Sequence, residues 1–245
     1  MKRFALSLRH VAAGVTIGLL GCGGDLTLPA SPPTSPPGGL GLAVVQGNGQ
    51  TGTVGQPLPD DVVVQVLSSA GGPVAGRQVA FVVSGGDATE GFDPDTALTD
   101  SEGKAATRWV LGTAAGAYSA EARVVAQGDS VVPPVVIQAA ATADAPDTLR
   151  ALGSTNQAGR REQPLPDPIA VVVVDRFGNP VGGATIEWKT DHDDGSLSAE
   201  TTQTATNGTS SVTWTLGERV GVQRATAKLN GANGSPVSFT AVVLF

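Results

Sequence analysis

The chain repeats itself, and the length of the repeat limits what it can fold into. Gln56-Pro57-Leu58-Pro59-Asp60 recurs 107 residues later as Gln163-Pro164-Leu165-Pro166-Asp167. At the same spacing Gly71-Gly72-Pro73-Val74-Ala75-Gly76 returns as Gly178-Asn179-Pro180-Val181-Gly182-Gly183, and Val79-Ala80-Phe81 as Ile186-Glu187-Trp188. Further on, Gly103 matches Gly208, Trp109 matches Trp214 and Leu111-Gly112 matches Leu216-Gly217, now 105 residues apart. A loop between residues 81 and 99 is therefore two residues shorter in the second copy. Solenoid repeats run roughly 20–50 residues. A longer unit whose length change is confined to a loop describes duplicated globular domains, expected over residues 40–144 and 145–245.

Within each copy the apolar period is two. Val79, Phe81 and Val83 share one face of a segment, and Ile186 and Trp188 alternate with Thr185, Glu187 and Lys189. Ala105, Thr107, Trp109 and Leu111 fall on one side while Arg108 points away, and Tyr118, Ala120, Ala122 and Val124 alternate with Ser119, Glu121 and Arg123. That pattern describes strands with one face in a core and one in water. Residues 62–67 and 169–174 are nearly all Val and Ile and read as more buried strands. With 33 Gly and 17 Pro, one residue in five is a poor helix former. Gly-Asn-Pro, Glu-Gly-Lys and Asn-Gly-Thr sit between the periodic segments as turns. The expected fold class is all-β, two tandem sandwiches of about seven strands each. Phe81, Trp188, Trp109 and Trp214 are expected in the cores rather than at a site. A sugar-stacking platform needs exposure, and repeat-matched aromatics on an alternating strand argue for burial.

Residues 1–22 read MKRFALSLRHVAAGVTIGLLGC, a basic start, an apolar stretch from Val11 to Leu20, and small residues. This is the build of a secretory signal peptide over residues 1–21, too short for a stable membrane span. Leu19-Leu20-Gly21-Cys22 resembles the bacterial lipobox, which implies cleavage before Cys22 and lipidation of its thiol. Cys22 is the only cysteine, so an intramolecular disulfide is excluded. Several acyl chains would hold the protein stably on a membrane. Residues 22–39 carry Pro29, Pro32, Pro33, Pro36 and Pro37 and read as a semi-stiff tether. Gly23 rather than Asp follows the Cys, which by resemblance to other lipoproteins permits transfer to the outer membrane or cell surface.

The pattern Gly-Asn-Pro-Val-x-Gly-x-x-Ile-x-Trp from Gly178 to Trp188, then Thr204 to Gly208, then Gly221 to Ala227, resembles the bacterial Ig-like domain, group 1, of the invasin and intimin type. The first copy shows the same pattern from Gly72 to Phe81, at Thr99 to Lys104 and from Gly116 to Ala122. The resemblance covers both domains. It implies Ig-like sandwiches of an extracellular bacterial protein, stapled by hydrophobic cores alone.

Chemistry-bearing motifs are sparse. Gly47-Asn48-Gly49-Gln50-Thr51-Gly52 fits G-x-G-x-x-G, but Thr53-Val54-Gly55-Gln56-Pro57 cannot form the helix a dinucleotide needs, so the stretch reads as a loop. Acidic loops are the remaining candidates: Asp87, Glu90, Asp93 and Asp95 in the first copy, and Asp191, Asp193 and Asp194 beside His192 in the second. The latter run lacks the calcium-loop spacing and a distal bidentate Glu. Its carboxylates read as solvated loop charge, and neither a resident metal nor another cofactor is expected. His192 is the only histidine after the leader, and no nucleophile elbow or zinc-protease motif occurs. Net charge is −7, and the body beyond the leader holds 12 basic against 22 acidic residues, which disfavours binding to nucleic acid. The sequence thus predicts a non-enzymatic envelope lipoprotein, its domains a stalk or protein-interaction module. Its partners would be a membrane through the lipid and an envelope protein or surface receptor. The alternative is an adhesin that binds a host, cell-surface or glycan receptor through exposed loops.

Overall fold

The computed structural model describes residues 39–125 and 132–244. Leu19, Leu20, Gly21 and Cys22, with the leader and nearly all of the tether, lie outside these residues. The described chain is all-β. Among the described residues no helix is long and apolar enough to cross a membrane.

The first half contributes β1 (Gly41–Gln46), β2 (Gln50–Thr53), β3 (Val62–Leu67), β4 (Gln78–Val83), β5 (Gly91–Asp93), β6 (Thr96–Leu98), β7 (Lys104–Val110), β8 (Gly116–Val124) and β9 (Val135–Thr142). They form a sheet of order β1-β3-β7-β5 and one of order β2-β9-β8-β4-β6. Val62, Val64 and Val66 of the first sheet and Val79, Ala120, Ala122 and Ile137 of the second are fully buried between them. The second half supplies β10 (Thr148–Leu152), β11 (Asn156–Arg160), β12 (Ile169–Val174), β13 (Thr185–Thr190), β14 (Ser196–Leu197), β15 (Thr201–Gln203), β16 (Thr209–Val212), β17 (Trp214–Thr215), β18 (Gly221–Lys228) and β19 (Val237–Leu244). Here the sheets are β10-β12-β16 and β11-β19-β18-β13-β15, with a small pair β14-β17. Their core is a separate cluster that contains Val171, Val173, Ile186, Trp188, Trp214 and Phe239.

The strands are more segmented than the sequence periodicity suggests, because the opening strand of each sandwich changes sheets. β1 runs antiparallel to β3, whereas β2 runs parallel to β9. β10 and β11 repeat the switch, antiparallel to β12 and then parallel to β19. Gly47 makes the crossing possible: its φ is +84°, and a Cβ there would fall 2.5 Å from the Asp61 carbonyl. This corrects the reading of residues 47–52 as a loop throughout, since Gln50–Thr53 is strand β2. Four ladder residues form too short a stretch for alternation to reveal. The repeated Gln-Pro-Leu-Pro-Asp motif closes over the switch. Leu58 and Leu165 are buried, and the Gln50 amide both donates to the Asp60 carbonyl (2.9 Å) and accepts from the Asp60 N–H (2.8 Å). Gln157 does the same to Asp167, at 3.1 and 3.3 Å.

The two sandwiches are joined by hydrogen bonds as well as by the chain. The turn after β12 carries Asp175 to Asn179. The Asn179 side chain donates to the Thr113 carbonyl (2.8 Å) and accepts from the Ala115 N–H (2.8 Å), both in the first sandwich. Asp175, nearly fully buried, holds that turn by accepting from the N–H groups of Phe177 (2.9 Å) and Asn179 (2.8 Å), and it reaches the Asp144 N–H of the connecting segment (3.0 Å). Asp144 in turn pairs with Arg176 at 3.1 Å. The Phe177 ring lies over Gly55, where a Cβ would be 3.2 Å from the ring. The position matching Gly55 in the second sandwich is Glu162, the only non-glycine residue with positive φ (56°) among the described residues.

Candidate functional site

The two-residue length change falls between β4 and β5. Residues 84–90 make that connection in the first sandwich, and residues 191–195 make it in the second. These are the loops that hold the acidic residues, so the structure sets the two candidate sites at one place in the fold. The loops behave differently.

In the second sandwich the short loop folds inward. His192–Asp194 forms one 3-10 turn. Gly195 and Gly217 let it pack against the strand end after β17, because a Cβ on Gly195 would meet the Thr215 carbonyl at 2.0 Å. Asp191 and Asp193 are exposed, but Asp194 is only 2% exposed. Its backbone carbonyl accepts the Trp214 indole N–H at 2.8 Å. Its carboxylate accepts from Arg219 Nε at 3.0 Å and from Arg219 Nη2, and from the Arg224 N–H at 2.8 Å. Arg219 Nη2 also donates to the Val222 carbonyl at 2.8 Å. Asp194 is therefore a paired structural carboxylate, not solvated loop charge. Asp191, Asp193 and Asp194 do not converge. Among the described residues no group of three His, Cys, Asp or Glu side chains is placed to hold a metal ion.

In the first sandwich the longer loop stands open and leaves a cleft of about 310 Å³. Asp87 forms one wall. It accepts the N–H and hydroxyl of Thr89 and the N–H and hydroxyl of Thr113, and those bonds hold its carboxyl well below the usual carboxylate range. Glu90 lies against the Gly86 backbone, where a Cβ would fall 1.6 Å from Glu90 Oε2. Burial pushes the Glu90 carboxyl up; the Trp109 indole opposes that rise and the charge of Asp87 adds to it. Tyr118 donates to the Ala114 carbonyl at 2.6 Å. Its hydroxyl is raised by burial and by the charges of Glu90 and Asp87. Among the described residues that line the cleft none is basic. Asp93 and Asp95 lie beyond it, exposed on β5 and in the turn to β6.

The aromatic residues assigned to the cores from the sequence are placed inside. Trp109 and Trp214 are 0% exposed, Trp188 1% and Phe81 4%, so none is a surface platform. Trp188 donates to the Thr202 hydroxyl at 2.6 Å. The Trp109 indole N–H, alone among buried side-chain polar atoms of the described residues, has no hydrogen-bond partner of normal geometry. Sequence reasoning missed the contrast between Ala114 and Arg219 and between Tyr118 and Gln223. Both pairs follow from extending the repeat at its 105-residue offset.

This architecture, two sheets around a buried tryptophan with the opening strand shared between sheets, is an Ig-like sandwich. Residues 167–242 match the family model of the bacterial Ig-like domain (group 1). No curated protein sequence matches the chain. Among solved structures, the Escherichia coli adhesin FdeC is 16% identical and superposes with a TM-score of 0.52, over 83% of this chain and 63% of that one. The chain thus spans less than two thirds of FdeC, and the likeness shows the fold. Yersinia pseudotuberculosis InvD is 18% identical (TM-score 0.45, 83% of this chain and 57% of that one). Invasin, described as a bacterial integrin-binding protein, is 23% identical (TM-score 0.35, 83% and 39%). At those scores the last two add nothing to the argument.

Proposed function

We propose that the protein is a non-enzymatic lipoprotein of the bacterial cell envelope, exported and displayed at the outer membrane or cell surface. Lipid on Cys22, the Cys of the lipobox Leu19-Leu20-Gly21-Cys22, anchors it. Residues 22–39 lift the folded part away, and two Ig-like domains over 40–144 and 145–245 form a short stalk or protein-interaction module. The observation that carries this reading is the hydrogen-bonded junction at Asn179, which supports one arm rather than two beads on a string. An arm of this kind suits reach and presentation. A net charge of −10 beyond the leader, from 12 basic and 22 acidic residues, points its partners away from nucleic acid.

Metabolic labelling with palmitate tests the anchor. The wild-type protein is expected to take up label and Cys22→Ala to lose it; label retained on the variant would overturn the anchor. The second reading, an adhesin that grips a host, cell-surface or glycan receptor, is favoured by the open cleft of the first sandwich and by the fold shared with the FdeC adhesin. Binding of the purified protein to cells and glycan arrays distinguishes it from a pure stalk.

A further inference from the structure

An asparagine followed by glycine can be attacked by the next backbone nitrogen, because glycine brings no side chain to hinder the approach. The chain holds four such steps: Asn48-Gly49, Asn207-Gly208, Asn230-Gly231 and Asn233-Gly234. Three of them are guarded. Asn48 Oδ1 accepts from the Gln138 N–H at 2.8 Å, and the Gly49 N–H donates to the Gln138 carbonyl at 2.8 Å. Asn207 Oδ1 accepts from the N–H (3.2 Å) and hydroxyl (2.7 Å) of Thr209, and the Gly208 N–H donates to the Ala205 carbonyl at 2.8 Å. The Asn233 amide donates to both Asp147 carboxylate oxygens, at 3.3 and 3.2 Å, and a Cβ on Gly234 would fall 2.6 Å from the Leu149 carbonyl. Asn230-Gly231 has no such guard. Both residues are exposed in the turn between β18 and β19. Among the described residues neither the Asn230 side chain nor the Gly231 N–H has a hydrogen-bond partner. Nothing lies within 4 Å of a Cβ built on Gly231, so the attacking nitrogen stands in open space.

We propose that Asn230 is a site of spontaneous covalent modification, at which the side-chain amide is converted to aspartate and isoaspartate. The Gly231 nitrogen gives its proton to solvent and bonds to Asn230 Cγ. The Cγ–Nδ2 bond breaks, and the amide nitrogen takes up a proton and leaves as ammonia. The succinimide ring that remains is opened by water at either carbonyl. One opening gives aspartate; the other gives isoaspartate, whose main chain runs through Cβ. One water enters, one ammonia leaves, and nothing is oxidised or reduced. The choice among the four steps is structural. Each guarded step must break its hydrogen bonds or leave its tight packing before the ring can close, so it reacts only from locally opened molecules. The product adds a carboxylate to a body that already holds 12 basic against 22 acidic residues. Isoaspartate also lengthens a turn that is docked on the start of the second sandwich. There the Asn233 N–H donates to the Asp147 carbonyl at 2.7 Å, and the Leu149 N–H to the Asn233 carbonyl at 2.9 Å. The inference goes beyond the envelope role and does not depend on it.

The test ages the full-length protein in neutral buffer below its melting temperature and follows each Asn-Gly peptide by proteolysis and mass spectrometry. Conversion at Asn230 is expected to run at least about tenfold faster than at the other three steps, each of which must first open. A matched sample unfolded in urea should convert all four at similar rates, because the dipeptide is the same in each. Chromatography should resolve the Asn230 product into aspartate and isoaspartate, the mark of a succinimide. Gly231→Ala places a methyl group beside the attacking nitrogen and should slow conversion at Asn230. The other three steps, still slow in that variant, report an intact fold. The proposal is overturned if Asn230 converts no faster than the others in the folded protein, or leads them by the same factor in urea. Aspartate as the sole product, or undiminished conversion in Gly231→Ala, would overturn the ring closure.

Discussion

Trp109 and Trp214 occupy one register position and differ in what the indole N–H faces, the Glu90 carboxyl in the first sandwich and the Asp194 carbonyl in the second. Both fill the space between two sheets, and truncation leaves a cavity that a β-sandwich cannot collapse into. Trp109→Ala and Trp214→Ala are each expected to cost about 3–5 kcal/mol, read from denaturant unfolding. Glu90 tests the other side of the difference. Its native pKa is raised by burial, so its ionised form is a cost that appears once the pH rises above the ordinary carboxylate range. Glu90→Gln is expected to stabilise the protein at neutral pH, and the gain should fade as the pH falls through the ordinary carboxylate range, as followed by melting temperature against pH. Period-two alternation made the inward face of each tryptophan strand legible. The state of the indole N–H was not, because it depends on where a neighbouring loop puts one carbonyl.

At the scale of elements, the same strand-to-strand connection is built in two ways. Seven residues leave an open cleft held by Asp87 and the Thr113 and Thr89 hydroxyls, while five residues fold into a 3-10 turn clamped by Arg219. Removing the clamp leaves a nearly buried carboxylate with one backbone partner. Arg219→Ala is expected to destabilise the second sandwich by about 2 kcal/mol at neutral pH, seen as earlier loss of the Trp214 signal on heating. The sequence placed the length difference within residues 81–99 and singled out the acidic residues. It misread Asp194 as solvated because burial of a carboxylate is decided by a partner 25 residues away. The sheet switch at β1 and β2 escaped notice for a related reason. Its glycine-rich turn looks like any loop, and parallel pairing with the last strand leaves no local trace.

Across the whole molecule, the duplication was plain in the sequence and the junction was not. Gly178-Asn179-Pro180 reads as turn chemistry, and nothing in it announces that Asn179 reaches the other sandwich. Asn179→Ala is expected to uncouple the halves, so that one thermal transition separates into two in calorimetry. Asp175 gives the junction a pH dependence. Burial alone would raise its pKa, but hydrogen bonds from Asn179 and from the N–H groups of Asp144, Asn179 and Phe177 outweigh that and hold it low. Its stabilisation is complete above the ordinary carboxylate value of about 3.9 and is lost as the pH falls through the lower native value. Asp175→Asn should remove that acid-sensitive part of the unfolding free energy.

The ring of Phe177, still 40% exposed, lies across Gly55 at the joint, and each half of the chain owns only one of the two. The place of the ring in the first sandwich is held by Ala70, and the place of the glycine in the second by Glu162. A head-to-tail contact that does not close on itself propagates into fibres. In this chain the ring belongs to one half and the glycine to the other, so neither half offers the contact twice.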